Sequence, residues 1–120
     1  MKTSYFAMMR NFPDTVEPIA ICAKVPNWYN GKVYKKLAPS YQLLMDYKKT
    51  GDEKTYTEKY NNYLKTLNVQ DVIKDFEQLS NGKEIILLCY EKSSDFCHRH
   101  FVANWLNENG YSCEEWEKGE

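Results

Sequence analysis

Apolar and polar positions along the chain fall into two periods, and the change from one to the other marks out the elements. The run from Glu84 to Tyr90 is of strand length and, after its first residue, apolar without interruption, the pattern of a strand covered on both faces. Pro18 to Lys24 forms a second such run, with a proline at its start and Pro26 ending it. Thr3 to Ala7 predicts a short first strand, Met8 to Phe12 a helical turn, and Tyr111 to Trp116 a last strand.

Elsewhere apolar residues recur every three or four positions, as on one face of a helix. Ser40 caps a helix carrying Leu43, Leu44 and Tyr47, with Gly51 just past its end. Tyr56, Tyr60, Tyr63, Leu64 and Leu67 form a stripe on a second helix, read as core rather than as a platform for stacking bases. Asn68 caps a third, bearing Val72, Ile73, Phe76 and Leu79 and ended by Asn81 and Gly82. The fourth is predicted from Asp95 to Asn109, with Ser94 or Asp95 as its cap and Gly110 as its stop. Strands separated by helices predict an α/β fold: one domain over residues 1–120 with a mostly parallel sheet of about four strands and helices on its faces, a Rossmann-like three-layer arrangement. Pro18 to Lys24 and Glu84 to Tyr90 are expected to be neighbouring parallel strands.

Composition narrows this little. Sixteen basic residues nearly balance seventeen acidic ones, so no overall field draws the chain to nucleic acid or an anionic membrane. Ten tyrosines suit a small domain that buries rings with polar tips. The first ten residues lack the apolar stretch of a secretory leader, and no run approaches the ~20 apolar residues of a membrane span; a reducing cytoplasm is expected. Cys22, Cys89 and Cys113 lie in strand-like segments, where free cysteines act as small buried hydrophobes. No Cys-x-x-Cys pair signals zinc, and no cofactor is expected.

The chemistry-bearing residues cluster where the Glu84 strand leads into the last helix. In parallel sheets the ligand crevice lies beyond the carboxyl ends of the strands. Lys24 with the Trp28 loop, Cys89 to Glu91, and the turn at Cys97 are all expected there. On the helical wheel defined by Phe101, Val102, Trp105 and Leu106, His98 and Arg99 lie on the sheet-facing side, Cys97 at its flank, and His100 points away as a solvated residue. Cys97 sits at a helix N-terminus beside basic groups, surroundings that favour a thiolate. His98 and Glu91 are candidate proton carriers. Arg99 needs a partner at a buried face: either a bound phosphate or carboxylate, or an ion pair with Glu91 or Asp95. Cys89 is expected to pack under the site. A metal held by Cys89, Cys97 and His98 has no standard spacing in its favour.

Leu87 to Glu91 followed by Cys97-His98-Arg99 resembles the C-terminal signature of domain-of-unknown-function family 488, a Leu-Leu-Cys-x-Glu strand end leading to Cys-His-Arg. Thr3 to Ala7, the Ile19 to Ile21 strand, Pro26, Trp28 with Gly31, Leu37-Ala38-Pro39 and the Tyr60 to Leu67 helix extend the resemblance over nearly the whole chain. Many relatives carry Asp-x-Arg after the second strand, where this chain has Cys22-Ala23-Lys24. The resemblance implies an α/β domain with a polar pocket around Cys89, Glu91, Cys97, His98 and Arg99, and no particular reaction.

The leading expectation is a small anionic ligand, phosphate- or nucleotide-like, contacted by Tyr5, Lys24, Trp28, Cys89 and Arg99 and acted on through Cys97 with His98 or Glu91. One alternative is a non-catalytic module in which Cys-His-Arg ties the last helix to the sheet. Another is a nucleic-acid-binding module using Trp28, Tyr29, Lys32, Lys35 and Lys36, against which the balanced charge counts.

Overall fold

The computed structural model describes residues 1–91 and 96–118. Its centre is strand β4, Glu84–Cys89, in which every residue from Ile85 to Cys89 is buried. β1, Lys2–Tyr5, and β2, Val16–Ala20, flank it. Two short strands complete a five-stranded sheet, β3 at Lys32–Val33 beside β2 and β5 at Glu114–Glu115 beside β1. All pairings are parallel, and Leu87 stands opposite Thr3 on one side and Ile19 on the other. Among the described residues the sheet thus has five strands, one more than the sequence indicated, because β3 is too short to display a period. β2 also begins earlier and ends earlier than the apolar run, leaving Ile21 to Lys24 as the exit from the strand.

The helices follow their capping residues. α1, Tyr41–Thr50, is capped by the Ser40 side chain, which accepts from the Leu43 amide at 3.1 Å, and closes on Gly51 in the left-handed conformation (φ 67°). α2, Glu53–Lys65, is capped by Asp52 and turns Tyr56, Tyr60 and Leu64 inward. α3, Val69–Leu79, is capped by Asn68 and buries Val69, Val72 and Phe76. The tyrosine stripe is therefore core, apart from Tyr63, which is partly exposed. A 3-10 helix, Phe6–Asn11, follows β1 and starts sooner than the turn expected at Met8.

α4, His98–Glu108, buries His98, Arg99, Val102, Trp105 and Leu106, as the helical wheel requires, and packs on β1 and β4, with α2 against its outer side. It begins three residues later than predicted. Both predicted caps, Ser94 and Asp95, lie outside the described residues; the N-cap position is held by Cys97 in extended conformation (φ −155°, ψ 142°).

Strand order places the site. After β2 the chain moves outward to β3, whereas after β4 it moves the opposite way, through α4 to β5. The exits of these two neighbours diverge, so a crevice opens between them at the carboxyl edge of the sheet.

Candidate functional site

The crevice is a cavity of about 290 Å³ lined by Cys22, Ala23 and Lys24 from the exit of β2, Cys89, Tyr90 and Glu91 from the exit of β4, His98 from α4, and Pro39, Leu44 and Lys48 around the start and body of α1. Beneath it, Cys89 Sγ, Cys97 Sγ and a ring nitrogen of His98 lie within 4.8 Å of one another, all three residues buried. The cluster has a simple origin. Cys89 is the last residue of β4, and Cys97 and His98 are the first turn of the helix that packs back on that strand.

His98 is oriented by the backbone. Its Nε2 donates to the carbonyl of Ile21 at 2.7 Å, because a carbonyl can only accept. That leaves Nδ1 as the ring nitrogen turned to the sulfurs rather than the backbone; Cys89 Sγ lies 3.4 Å from it and 3.3 Å from Nε2. The far side of the ring meets Tyr60 edge-on at 5.4 Å, and the Tyr60 hydroxyl donates to the Leu37 carbonyl at 2.5 Å. A second cavity of about 560 Å³ borders the first, sharing Ala23 and Pro39 and walled by Tyr60, Tyr63, Lys35 and Lys59.

The electrostatics separate the four cysteines. Cys97 is pulled far below the ordinary thiol range by hydrogen bonds from the Cys89 thiol and from His98, which outweigh its burial. Cys89 is pushed the other way, by burial and by the neighbouring Cys97 sulfur. Cys22 and Cys113 are each raised to about 11 by burial. The two sulfurs are thus driven in opposite directions, Cys97 towards the thiolate and Cys89 towards the thiol. Glu91 is raised as well, through partial burial and the facing Cys97, which suits a carboxyl that delivers a proton. Two sulfurs and an imidazole are also donors of the kind zinc accepts, one fewer than a closed structural site uses.

Not every predicted residue reaches this cavity. Lys24, Cys89, Glu91 and His98 line it, whereas Cys97, which is buried behind Cys89 and His98, and Arg99, Tyr5 and Trp28 do not. Arg99 is fully buried and its fork is filled from within: Nε and Nη2 donate to the two carboxylate oxygens of Glu115 at 3.2 and 3.0 Å, and Nη1 donates to the Glu91 carbonyl at 2.5 Å. Its carboxylate partner is thus Glu115, not Glu91; Asp95 lies outside the described residues. Tyr5 lies under the Arg99 guanidinium, 5.7 Å from its centre. Trp28 is 59% exposed and leans edge-on against Phe6. Its neighbour Tyr29 is buried, with its hydroxyl on the Lys32 carbonyl at 2.6 Å, and Lys32 itself is held by Glu17 and the Leu79 carbonyl. His100 is half-buried rather than solvated, and its Nε2 is enclosed without a partner among the described residues.

Sequence reasoning missed Lys48, Cys22 and Tyr60 as site residues and Glu115 as the anchor of Arg99. Lys48 sits among ordinary helix-surface lysines and Glu115 in an acidic C-terminal stretch, so neither carries a local signal.

No helix among the described residues is long and apolar enough to cross a membrane. Comparison with curated proteins and with solved structures gives no match. The model of the active DUF488-N3 subclade matches residues 9–110, most of the chain and the whole of the Cys89–Cys97–His98 cluster, and the chain therefore belongs to the DUF488 family.

Proposed function

We propose that the protein binds a small anionic ligand, phosphate- or nucleotide-like, in the crevice between the exits of β2 and β4, and acts on it through Cys97. The observation that carries this reading is the placement of the Cys97 sulfur within 4.8 Å of Cys89 Sγ and a His98 ring nitrogen, two residues that line a cavity together with the lysines Lys24 and Lys48. The lysines attract the anion and the thiolate supplies the nucleophile. Glu91 and His98 carry protons to and from the reacting atoms. The adjoining larger cavity, with aromatic walls at Tyr60 and Tyr63 and cations at Lys35 and Lys59, gives room for the remainder of a nucleotide-sized molecule. Arg99 does not touch the ligand in this scheme. It holds the first turn of α4 in place and so positions Cys97.

The test is thermal melting against a panel of inorganic phosphate, nucleoside phosphates and small carboxylates. A ligand that binds the native state raises the melting temperature by mass action. The shift should shrink in Lys24→Gln and Lys48→Gln. A wild type unmoved by every anion would reject the reading.

One observation favours a second reading, the non-catalytic module. Arg99 is fully engaged inside the fold, as a strut tying helix to sheet would be. Under that reading Arg99→Lys lowers stability, and neither the anion panel nor thiol reagents distinguish Cys97 from the other cysteines.

A further inference from the structure

We propose that Cys97 and Cys89 form a reactive and resolving pair that reduces a small hydroperoxide, leaving the protein with a Cys89–Cys97 disulfide. This rests on the reading of Cys97 as the reactive thiolate and adds a substrate class to it.

The argument starts from the second sulfur. A simple displacement at Cys97 needs no neighbouring thiol, yet Cys89 Sγ lies within 4.8 Å of it, buried at the end of β4. No other cysteine is placed as well. Cys22 directs its thiol to the Lys24 carbonyl at 3.2 Å. Cys113 belongs to the chain after the C-terminal end of α4, held there by Asn107, away from the first turn that carries Cys97. Cys89 and His98 border the crevice and Cys97 lies within 4.8 Å behind them, so only a molecule as small as a peroxide reaches the pair.

The proton carriers suit both halves of the reaction. In the first, the Cys97 thiolate attacks the outer peroxide oxygen, the O–O bond breaks, and Cys97 becomes a sulfenic acid while the departing alkoxide takes a proton from Glu91. In the second, the Cys89 thiol attacks the Cys97 sulfur and the S–OH bond breaks. Cys89 Sγ lies 3.4 Å from His98 Nδ1 and 3.3 Å from Nε2; Nδ1, the nitrogen not committed to the Ile21 carbonyl, takes the thiol proton once Cys97 is a sulfenic acid and passes it to the departing hydroxide, which leaves as water. Two thiols are oxidised to one disulfide and one hydroperoxide is reduced to alcohol and water, so the electrons balance. The Ile21 carbonyl matters here, since by occupying Nε2 it keeps Nδ1 available to Cys89.

The experiment uses the full chain, reduced, treated with a chelator and desalted. One equivalent of hydrogen peroxide or of a small organic hydroperoxide is added, and intact mass and peptide mapping are recorded. The expected product has lost two hydrogens and yields a peptide joined through Cys89 and Cys97. Cys89→Ser should instead hold an added oxygen on Cys97 that dimedone captures, and Cys97→Ser should react far more slowly; circular dichroism checks that each variant is folded. Wild-type protein that gains oxygen on Cys97 without forming the bridge overturns the pair. Selective alkylation of Cys97 in a parallel reduced sample given no peroxide would leave the nucleophile reading standing, whereas failure of both would remove both. Zinc retained through chelation, with both thiols unreactive, overturns the proposal in favour of a metal centre.

Discussion

Arg99 and Glu115 grip each other by two parallel bonds, Nε to Oε1 and Nη2 to Oε2, across sixteen residues of chain. The pair joins the first turn of α4 to β5, the edge strand beside β1. Burial opposes the charge on Arg99, but the Glu115 carboxylate and the Cys97 thiolate more than restore it. Glu115→Gln should therefore destabilise the fold by about 3 kcal/mol, because a buried guanidinium is left without its counter-charge. Urea denaturation of the two proteins measures this, and an unchanged midpoint would show that the pair holds nothing in place.

Arg99→Lys should lower the melting temperature too, since a single ammonium cannot reproduce the fork. Anion-induced shifts in the surviving native protein should persist. Their loss would return Arg99 to the ligand site.

Trp105 is buried on α4 and lines a small cavity with Leu64 of α2. Trp105→Ala should cost about 3–5 kcal/mol through lost burial and the cavity left behind. Equilibrium unfolding followed by far-ultraviolet circular dichroism reads the change, and a cost below about 1 kcal/mol would contradict the packing.

The Tyr60 hydroxyl is fully buried and donates to the Leu37 carbonyl. Tyr60→Phe leaves that carbonyl unsatisfied, with an expected loss of about 1–3 kcal/mol. The ring contact with His98 is kept, so thiol reactivity should not change. Denaturation and iodoacetamide labelling of the same sample separate the two effects.

Cys97 gives the fold a particular pH dependence. Its folded-state thiol titrates far below the ordinary 9.0, so between these values the unfolded chain binds a proton that the folded one does not. Stability from this group rises with pH, is complete above the unfolded value, and is lost as pH falls towards the folded one. The melting temperature of wild type relative to Cys97→Ser should therefore increase from about pH 5 to about pH 8. Cys22 and Cys113, raised to about 11 by burial, act oppositely: their contribution is present below the unfolded value and fades as pH rises through about 11. Iodoacetamide should accordingly label Cys97 before the others near neutral pH. A flat difference curve with uniform labelling would leave Cys97 a plain buried thiol.

What could be read from the chain followed locality. Ser40, Asn68 and Gly51 mark helix ends through bonds to residues three or four away, and each does what its type suggests. The apolar run at β4 gave both the strand and its parallel neighbour β2, because only a strand covered on both faces is apolar at every position. The wheel of α4 placed His98 and Arg99 inward, but it did not foresee that neighbouring side chains also enclose His100 Nε2. Contacts set by the closing of the sheet were not legible. Glu115 reaches Arg99 only because β5 pairs with β1, and Lys48 reaches the crevice only through the packing of α1. Trp28 was expected in the crevice because it follows a strand, but the chain between β2 and β3 folds over Phe6 instead. The start of α4 was misplaced because a cysteine holds the N-cap position, where sulfur carries none of the signal of serine or aspartate.

The brevity of β3 and β5 also bears on how the protein meets other copies of itself. Each outer margin of the sheet offers only two residues in register, Lys32 and Val33 on one side and Glu114 and Glu115 on the other. A foreign backbone seeking to extend the ladder finds too few amides and carbonyls to align with, and at one margin it meets the exposed carboxylate of Glu114. The long apolar strand that builds the crevice is enclosed between β1 and β2. A sequence segment with strong amyloid-like character is thus kept out of reach of its own kind by the topology that places the reactive sulfur at its end.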